Sequence, residues 1–222
     1  MNKNIINKMS YDKIAGKFSA TRNYVWADID LLLSYIKNND NVLDLGCGNG
    51  RILERLKDKE VIYQGVDFSK GLIDEARKKF PNNNFKVEDI LNLKLNKKFD
   101  VIISVSTINH FSKKYQQKAI SVIKEHLNKD GYLLLINWNL WNLSRKKSIW
   151  RVFHKRGFRG IMTTWKSGDL KAKLYYYAFT LKSLKTLLEK NNFEILENFY
   201  SKKGNKSDWK KGDNIITIAK LK

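Results

Sequence analysis

The run VLDLGCGNGRI, residues 42 to 52, constrains this chain more than any other segment. An aliphatic stretch that reads as a strand is cut short at Leu45. Glycines then occupy alternate positions 46, 48 and 50 before a helical pattern begins. Gly46, Gly48 and Gly50 let the backbone turn tightly and approach a ligand without interference from Cβ atoms. A strand, a glycine turn and a helix in that order form the mouth of a ligand site in an open α/β sheet. Preceded by Asp44, the spacing is Gly-x-Gly-x-Gly. It differs from the Gly-x-Gly-x-x-Gly of dinucleotide loops, and the chain contains no Gly-x-x-x-x-Gly-Lys-[Ser/Thr] phosphate loop.

The rest of the chain keeps the alternation this loop requires. Short β-branched runs predict strands at residues 41–45, 61–66, 84–88, 99–105 and 131–138. Amphipathic patterns predict helices at 50–57, 70–79 and 114–127. Ser69 is placed to cap the second of these helices. A further helix is expected at 181–190, then strands at 193–200 and 214–221. The short polar segment between those two strands predicts an antiparallel hairpin. The expected fold is α/β: a mostly parallel, seven-stranded, doubly wound sheet that ends antiparallel. One domain, 1–222, is expected to carry an N-terminal helical cap at 1–38 and an insertion or lid at 140–179.

Composition excludes several classes. No apolar run reaches the roughly 18–20 residues that span a bilayer, and the opening residues lack the apolar core of a signal peptide. With one cysteine, Cys47, there is neither an internal disulfide nor a multi-cysteine metal site, so a reduced, cytoplasmic chain without metal or membrane is expected. The net charge of +21 attracts polyanions, nucleic acid first. A chain rich in Lys, Asn and Ile with a single proline also arises from codon bias, so the location of the cations must decide. Residues 140–179 hold ten Lys/Arg, including Arg145 and Lys146, against one acid, with nine aromatics interleaved. Such a mixture suits phosphates and unpaired bases, and it equally suits aromatics packing the insertion onto the sheet beneath solvated lysines.

Two further acids close strands. Asp67 in YQGVDFS follows the second, and Asp89 in VEDI follows the third. Asp-x-Gly-x-Gly-x-Gly followed by these two acids resembles the class I S-adenosylmethionine-dependent methyltransferases, which have a Rossmann-like fold. The resemblance implies that the glycine loop, with Asp44, cradles the methionine part of S-adenosylmethionine. It assigns Asp67 to the ribose and Asp89 to the adenine, with Phe68 and the segment through Ile90 lining the adenine pocket; Ser104 completes the cofactor set.

The acceptor is read partly by elimination. The chain after the fourth strand is SVSTINHF, without the Asn/Asp-Pro-Pro-Tyr motif of amino-methylating enzymes. The lone cysteine sits inside the glycine loop, where it packs and does not attack. Oxygen methylation fits best. The N-terminal stretch YDKIAGKFSATRNYVW resembles the segment preceding the fold in the eukaryotic tRNA wobble-uridine carboxymethyl methyltransferases, through Tyr11, Ile14, Ala15, Phe18, Ser19, Thr21 and Arg22. That family's paired histidines stand here as Asn109 and His110, and its Arg-Tyr-Tyr-His run as Leu174, Tyr175, Tyr176 and Tyr177. The resemblance implies a tRNA substrate and a small zinc-binding activator protein as partner. Arg22 can grip a carboxylate in two-point fashion, and His110 can donate a hydrogen bond or act as a base. Tyr11, Trp26, Asn109, Arg145, Lys146, Trp165 and Tyr177 are the expected substrate contacts. A small-molecule O-methyltransferase and a non-catalytic cofactor-binding module are the competing readings.

Overall fold

A computed structural model describes residues 3–22, 24–143 and 159–222. Its centre is one sheet built from β1 (Asn41–Leu45), β2 (Ile62–Asp67), β3 (Asn84–Val87), β4 (Phe99–Val105), β5 (Leu127–Trp138), β8 (Phe193–Lys202), β9 (Asn205–Ser207) and β10 (Asn214–Leu221). The order is β3-β2-β1-β4-β5-β10-β8-β9. Strands β1 to β5 pair in parallel, and β10 runs antiparallel between β5 and β8. The sheet therefore has eight strands where seven were expected. The eighth, β9, is a three-residue return that folds back on the β8 edge. Its turn is held from across the chain, because the buried Asp28 carboxylate accepts from the Gly204 amide, the Ser201 hydroxyl and the Asn214 amide.

Period-two alternation splits the buried side chains into two layers. Leu43, Ile102, Leu133, Leu135 and Ile215 face one side of the sheet, under α4 (Lys113–His126) and α5 (Leu181–Glu189). Val42, Val101, Ile103, Leu134, Ile136 and Ile216 face the other, where Ile29, Leu32, Ile36 and Ile73 cover them. Ile73 belongs to α3 (Lys70–Lys79), whose Ser69 cap accepts from the Leu72 amide at 3.3 Å as the sequence predicts. The helix expected at 50–57 shrinks to α2 (Leu53–Leu56), because the glycine loop holds left-handed backbone as far as Gly50. β5 starts four residues early, since the chain leaves α4 directly into the strand and pairs Leu127 with Phe99.

A third cluster forms the cap. Helix α1 (Lys3–Ala20) packs Tyr11, Ile14 and Ala15 against a two-stranded hairpin, β6 (Gly160–Ser167) and β7 (Leu170–Tyr177), and against Leu72 of α3. Asp12 of α1 ties the cap to the sheet, accepting from the Ser69 hydroxyl at 2.6 Å. Two 3-10 turns, Ala27–Ile29 and Leu33–Tyr35, lead from α1 to β1. The hairpin is most of the described part of the basic aromatic insertion, with residues 140–143 at its start. Arg145 and Lys146 lie outside the described residues.

Candidate active site

Strand order reverses direction between β1 and β4, and open α/β sheets place their ligands at the carboxyl end of such a switch point. A cavity of about 270 Å³ lies there, floored by the glycine loop and roofed by α1 and the hairpin. It brings together Tyr11, Arg22, Trp26, Asp44, Gly46, Gly48, Asp67, Phe68, His110 and Trp165 from the residues singled out in the sequence. The loop is fixed from below, with the Gly46 and Cys47 amides both donating to the Val66 carbonyl at 2.8 and 3.0 Å. Asp67 accepts from the Gly48 amide at 3.0 Å and from the Ser69 amide at 2.9 Å. Asp44 accepts from the Tyr63 hydroxyl at 2.9 Å.

Both carboxylates are buried, and burial raises their pKa values. Asp44 rises to about 7, with the Tyr63 hydrogen bond opposing burial and neighbouring Asp67 adding to it. Asp67 rises to about 6 although two amides stabilise its charge. Each acid keeps its proton in the folded state at a pH where the unfolded chain has released it. Folding stability from these groups is therefore full below about pH 4 and is lost as pH rises through about 6 to 7. An Asp44→Asn variant should gain stability over wild type between pH 4 and pH 7 and gain no more above that. Urea unfolding at pH 4.5, 6 and 8 checks this; a difference independent of pH would contradict it.

The cavity also holds two guanidinium groups. Arg22 stacks over Phe18 and Arg51 over Trp26, each 4.8 Å from the ring centroid. Among the described residues neither forms an ion pair, and Arg51 Nη1 is buried without a hydrogen-bond partner. The Ser106 hydroxyl, on another lining residue, is buried and unpartnered in the same way. Ser106 sits in left-handed backbone at φ 55°, a strained conformation of the kind that gathers at functional sites. Burial and the nearby Arg22 charge lower Arg51 to about 10, so it remains a cation at neutral pH.

His110 is engaged at both nitrogens. Nδ1 lies 2.8 Å from the Tyr175 carbonyl and Nε2 lies 3.0 Å from the Tyr11 hydroxyl. A carbonyl only accepts, so the shorter Tyr175 contact assigns the proton to Nδ1, leaves Asn7 Nδ2, 3.1 Å from Nδ1, to donate to the Tyr175 carbonyl, and makes Nε2 the acceptor of the Tyr11 O–H. Burial pushes His110 down to about 4, so the ring is neutral through the physiological range. Asn7 of α1 completes this wall: its Oδ1 accepts from the Tyr175 amide at 2.8 Å and its Nδ2 donates to the Tyr175 carbonyl at 3.2 Å.

Six expected site residues do not line the cavity. Gly50 packs under the rings of Phe80 and Phe85. Asp89 is exposed and caps the 3-10 turn Ile90–Asn92 through the Leu91 amide, and Ile90 is buried in the core. Ser104 donates to the Leu45 carbonyl at 3.2 Å beneath the site. Asn109 is fully buried, and its side-chain amide has no partner among the described residues. Tyr177 lies on the face of β7 opposite the cavity-lining Tyr176. Sequence reading missed Arg51, Trp138 and Tyr176. Arg51 directly follows the glycine loop, and Trp138 ends β5 at the same sheet edge, so position alone pointed to both. Trp138 and Tyr176 stack with rings 5.2 Å apart and 8° from parallel.

Strand order, glycine loop and cavity together define the class I methyltransferase fold. Residues 18–198 match the family described as methyltransferase domain, and the chain belongs to that family. It is similar to the tRNA (carboxymethyluridine(34)-5-O)-methyltransferase of Saccharomyces cerevisiae, with 32% identity over 167 residues, 73% of this chain and 57% of that protein. The Schizosaccharomyces pombe protein of the same name is 27% identical over 214 residues, 86% of this chain and 90% of that one. The chain thus spans little more than half of the first relative, and 20% of a third from Xenopus tropicalis. An S-adenosylmethionine-dependent methyltransferase from Clostridium acetobutylicum shares the fold with a TM-score of 0.69 at 21% identity, covering 95% of this chain and 96% of that one. Magnesium protoporphyrin IX methyltransferase from Synechocystis, solved with S-adenosylmethionine bound, gives 0.66 at 16% identity over 100% and 98% of the two chains.

The chain carries a methyltransferase domain and shares its fold with S-adenosylmethionine-dependent enzymes. Its residues fit that cofactor. The Cβ position of Gly48 opens into free space, leaving room above the loop. A buried acid, two cations without carboxylate partners among the described residues and an orphaned hydroxyl share one cavity. These complement the hydroxyls, the carboxylate and the ammonium of such a molecule. Among the described residues no group of three or more His, Cys, Asp or Glu is placed to hold a metal, and no helix is long and apolar enough to cross a membrane.

Proposed function

We propose that this chain methylates a carboxylate oxygen of a modified wobble uridine in tRNA. The observation that carries the proposal is the pair Arg22 and Arg51, two cations at one cavity with no carboxylate among the described residues paired to either. Two carboxylates need holding in such a reaction, one on the cofactor's methionine and one on the acceptor. When bound, the cofactor supplies an electrophilic methyl group, and its transfer to a carboxylate oxygen gives a methyl ester and a neutral thioether.

An ionised carboxylate is already a nucleophile, so the chain has only to position it and exclude water. Neutral His110 suits that role, since it takes no proton but fixes the Tyr11 hydroxyl at the cavity wall. Arg22 reaches the cavity from the end of α1, and Arg51 from the glycine loop. Trp26, Trp165, Trp138 and Tyr176 supply aromatic walls that keep water out and accept a flat base by stacking. The names of the two yeast relatives support the same acceptor. A cytoplasmic setting and a small activator subunit belong to this reading.

Purified chain, with methyl-labelled S-adenosylmethionine and bulk tRNA pretreated with mild alkali to remove existing esters, tests it. Label should enter the tRNA and leave as methanol on a second alkali treatment. Alkali-stable label would move the target to a base or ribose atom and overturn the carboxylate.

A further inference from the structure

The hairpin has a second face. Tyr176 points into the methyl-transfer cavity, and its neighbours Tyr175 and Tyr177, by strand alternation, line a separate open groove of about 840 Å³. The groove runs between β7, the N-terminal end of α4 and one side of α5 from Thr180 to Lys190. Six cations border it, Lys3, Lys113, Lys114, Arg159, Lys182 and Lys190, and no carboxylate among the described residues does. Lys113, Lys114, Lys182 and Lys190 form no ion pair with a described residue.

Helix electrostatics argue against codon bias as the origin of this arrangement. The amino end of a helix carries partial positive charge and favours acids in its first turn. Both α4 and α5 lack an acid there and carry lysines instead, Lys113 and Lys114 in one and Lys182 in the other. Ser112 makes no side-chain capping bond to the α4 end. Two helix ends and six cations thus converge on one channel, and three of the cations, Lys113, Lys114 and Lys182, stand where they oppose local helix stability. A bound polyanion reverses the sign of that effect.

We propose that this groove seats the phosphodiester backbone of the RNA, beside the methyl-transfer cavity and across one strand from it. The proposal rests on the tRNA reading above. The two sites share a wall, since the Tyr175 backbone carbonyl that bounds the groove strand is the partner of His110 in the cavity. Tyr175 and Tyr177 sit at the groove floor and are too buried to stack on bases. The groove therefore grips phosphates and leaves base recognition to the cavity.

The test is tRNA affinity of the full chain as a function of salt. A Lys113→Gln, Lys182→Gln, Lys190→Gln variant should lose three phosphate contacts. Each contributes about 0.7 to the salt slope for single-stranded RNA, so the slope becomes shallower by about 2 and binding weakens by roughly a hundredfold at 0.1 M salt. The Lys→Arg variant at the same positions should keep the wild-type slope. A matched variant, Lys202→Gln, Lys210→Gln and Lys211→Gln, removes the same charge from residues outside the groove and should change the slope by less than about one. Equal losses in the two Gln variants would mean net charge alone binds RNA and overturn the proposal. Loss of polyglutamate binding with the tRNA slope unchanged would assign the groove to an acidic protein and overturn it as well. Wild-type chain that binds no tRNA would remove the tRNA reading itself, an outcome distinct from either.

Discussion

Replacing Asp67 with Ala is expected to lower S-adenosylmethionine affinity by at least about a hundredfold. A hydrogen bond to a charged acceptor contributes about 1.5–3 kcal/mol, and the assignment of Asp67 to the ribose gives it two hydroxyl donors to lose. Asp67→Asn keeps the shape but accepts from only one of the Gly48 and Ser69 amides, which bond different oxygens, so its Tm without cofactor separates loss of charge from disturbance of the loop. The pKa of about 6 adds a second readout. If the ionised form binds, wild-type affinity should be level above pH 7 and fall toward tenfold per unit below pH 6, and the Asn variant should not follow. Calorimetric titration from pH 5 to 8 measures both. Unchanged affinity in the Ala variant would sink the assignment.

The second large effect separates two glycines that look equivalent in the sequence. Gly46 and Gly48 both hold positive φ, 72° and 57°, which strains any side-chain-bearing residue by about 1–2 kcal/mol. At Gly46 an added Cβ would also collide with the Thr107 side chain. Gly46→Ala should then lose about 3 kcal/mol or more, a fall of roughly 6–12 °C in Tm for a chain of this size. At Gly48 an added Cβ meets nothing within 4 Å and projects into the cavity. Gly48→Ala should lose only about 1 kcal/mol, a few degrees in Tm, and still bind cofactor much more weakly than wild type. Thermal melts with and without S-adenosylmethionine distinguish them. Equal Tm losses in the absence of cofactor would contradict the geometry.

The parallel core was legible because buried parallel strands are nearly continuous β-branched runs, and NVLDL and FDVIISV read as little else. The glycine loop was legible because its backbone demands admit few other residues. The hairpin in the insertion was not, although Gly168–Asp169 between two alternating runs is a two-residue turn signal. Composition drew attention to its charge and aromatics and away from its period. The same habit grouped Tyr175, Tyr176 and Tyr177 as one cluster, whereas a strand sends the middle ring one way and the outer two the other. Asp89 and Ile90 show the opposite difficulty. Position after a strand end is visible in a sequence, but whether the side chain turns to a cavity or caps its own turn depends on local hydrogen bonds that no spacing encodes. Arg51 escaped although its place directly after the glycine loop pointed to it, because attention went to the glycines and the acids.

The bonds from Asn7 to the amide and carbonyl of Tyr175 let a helical side chain do what a neighbouring strand would do, closing the outer edge of β7. The first helix and the hairpin are consequently coupled through two main-chain bonds. A chimera that imports another protein's insertion without its opening helix leaves that edge open to pairing with a second chain. Domain exchange at this end of the molecule therefore has to treat two segments, joined by residues 168 positions apart in sequence, as one exchangeable part.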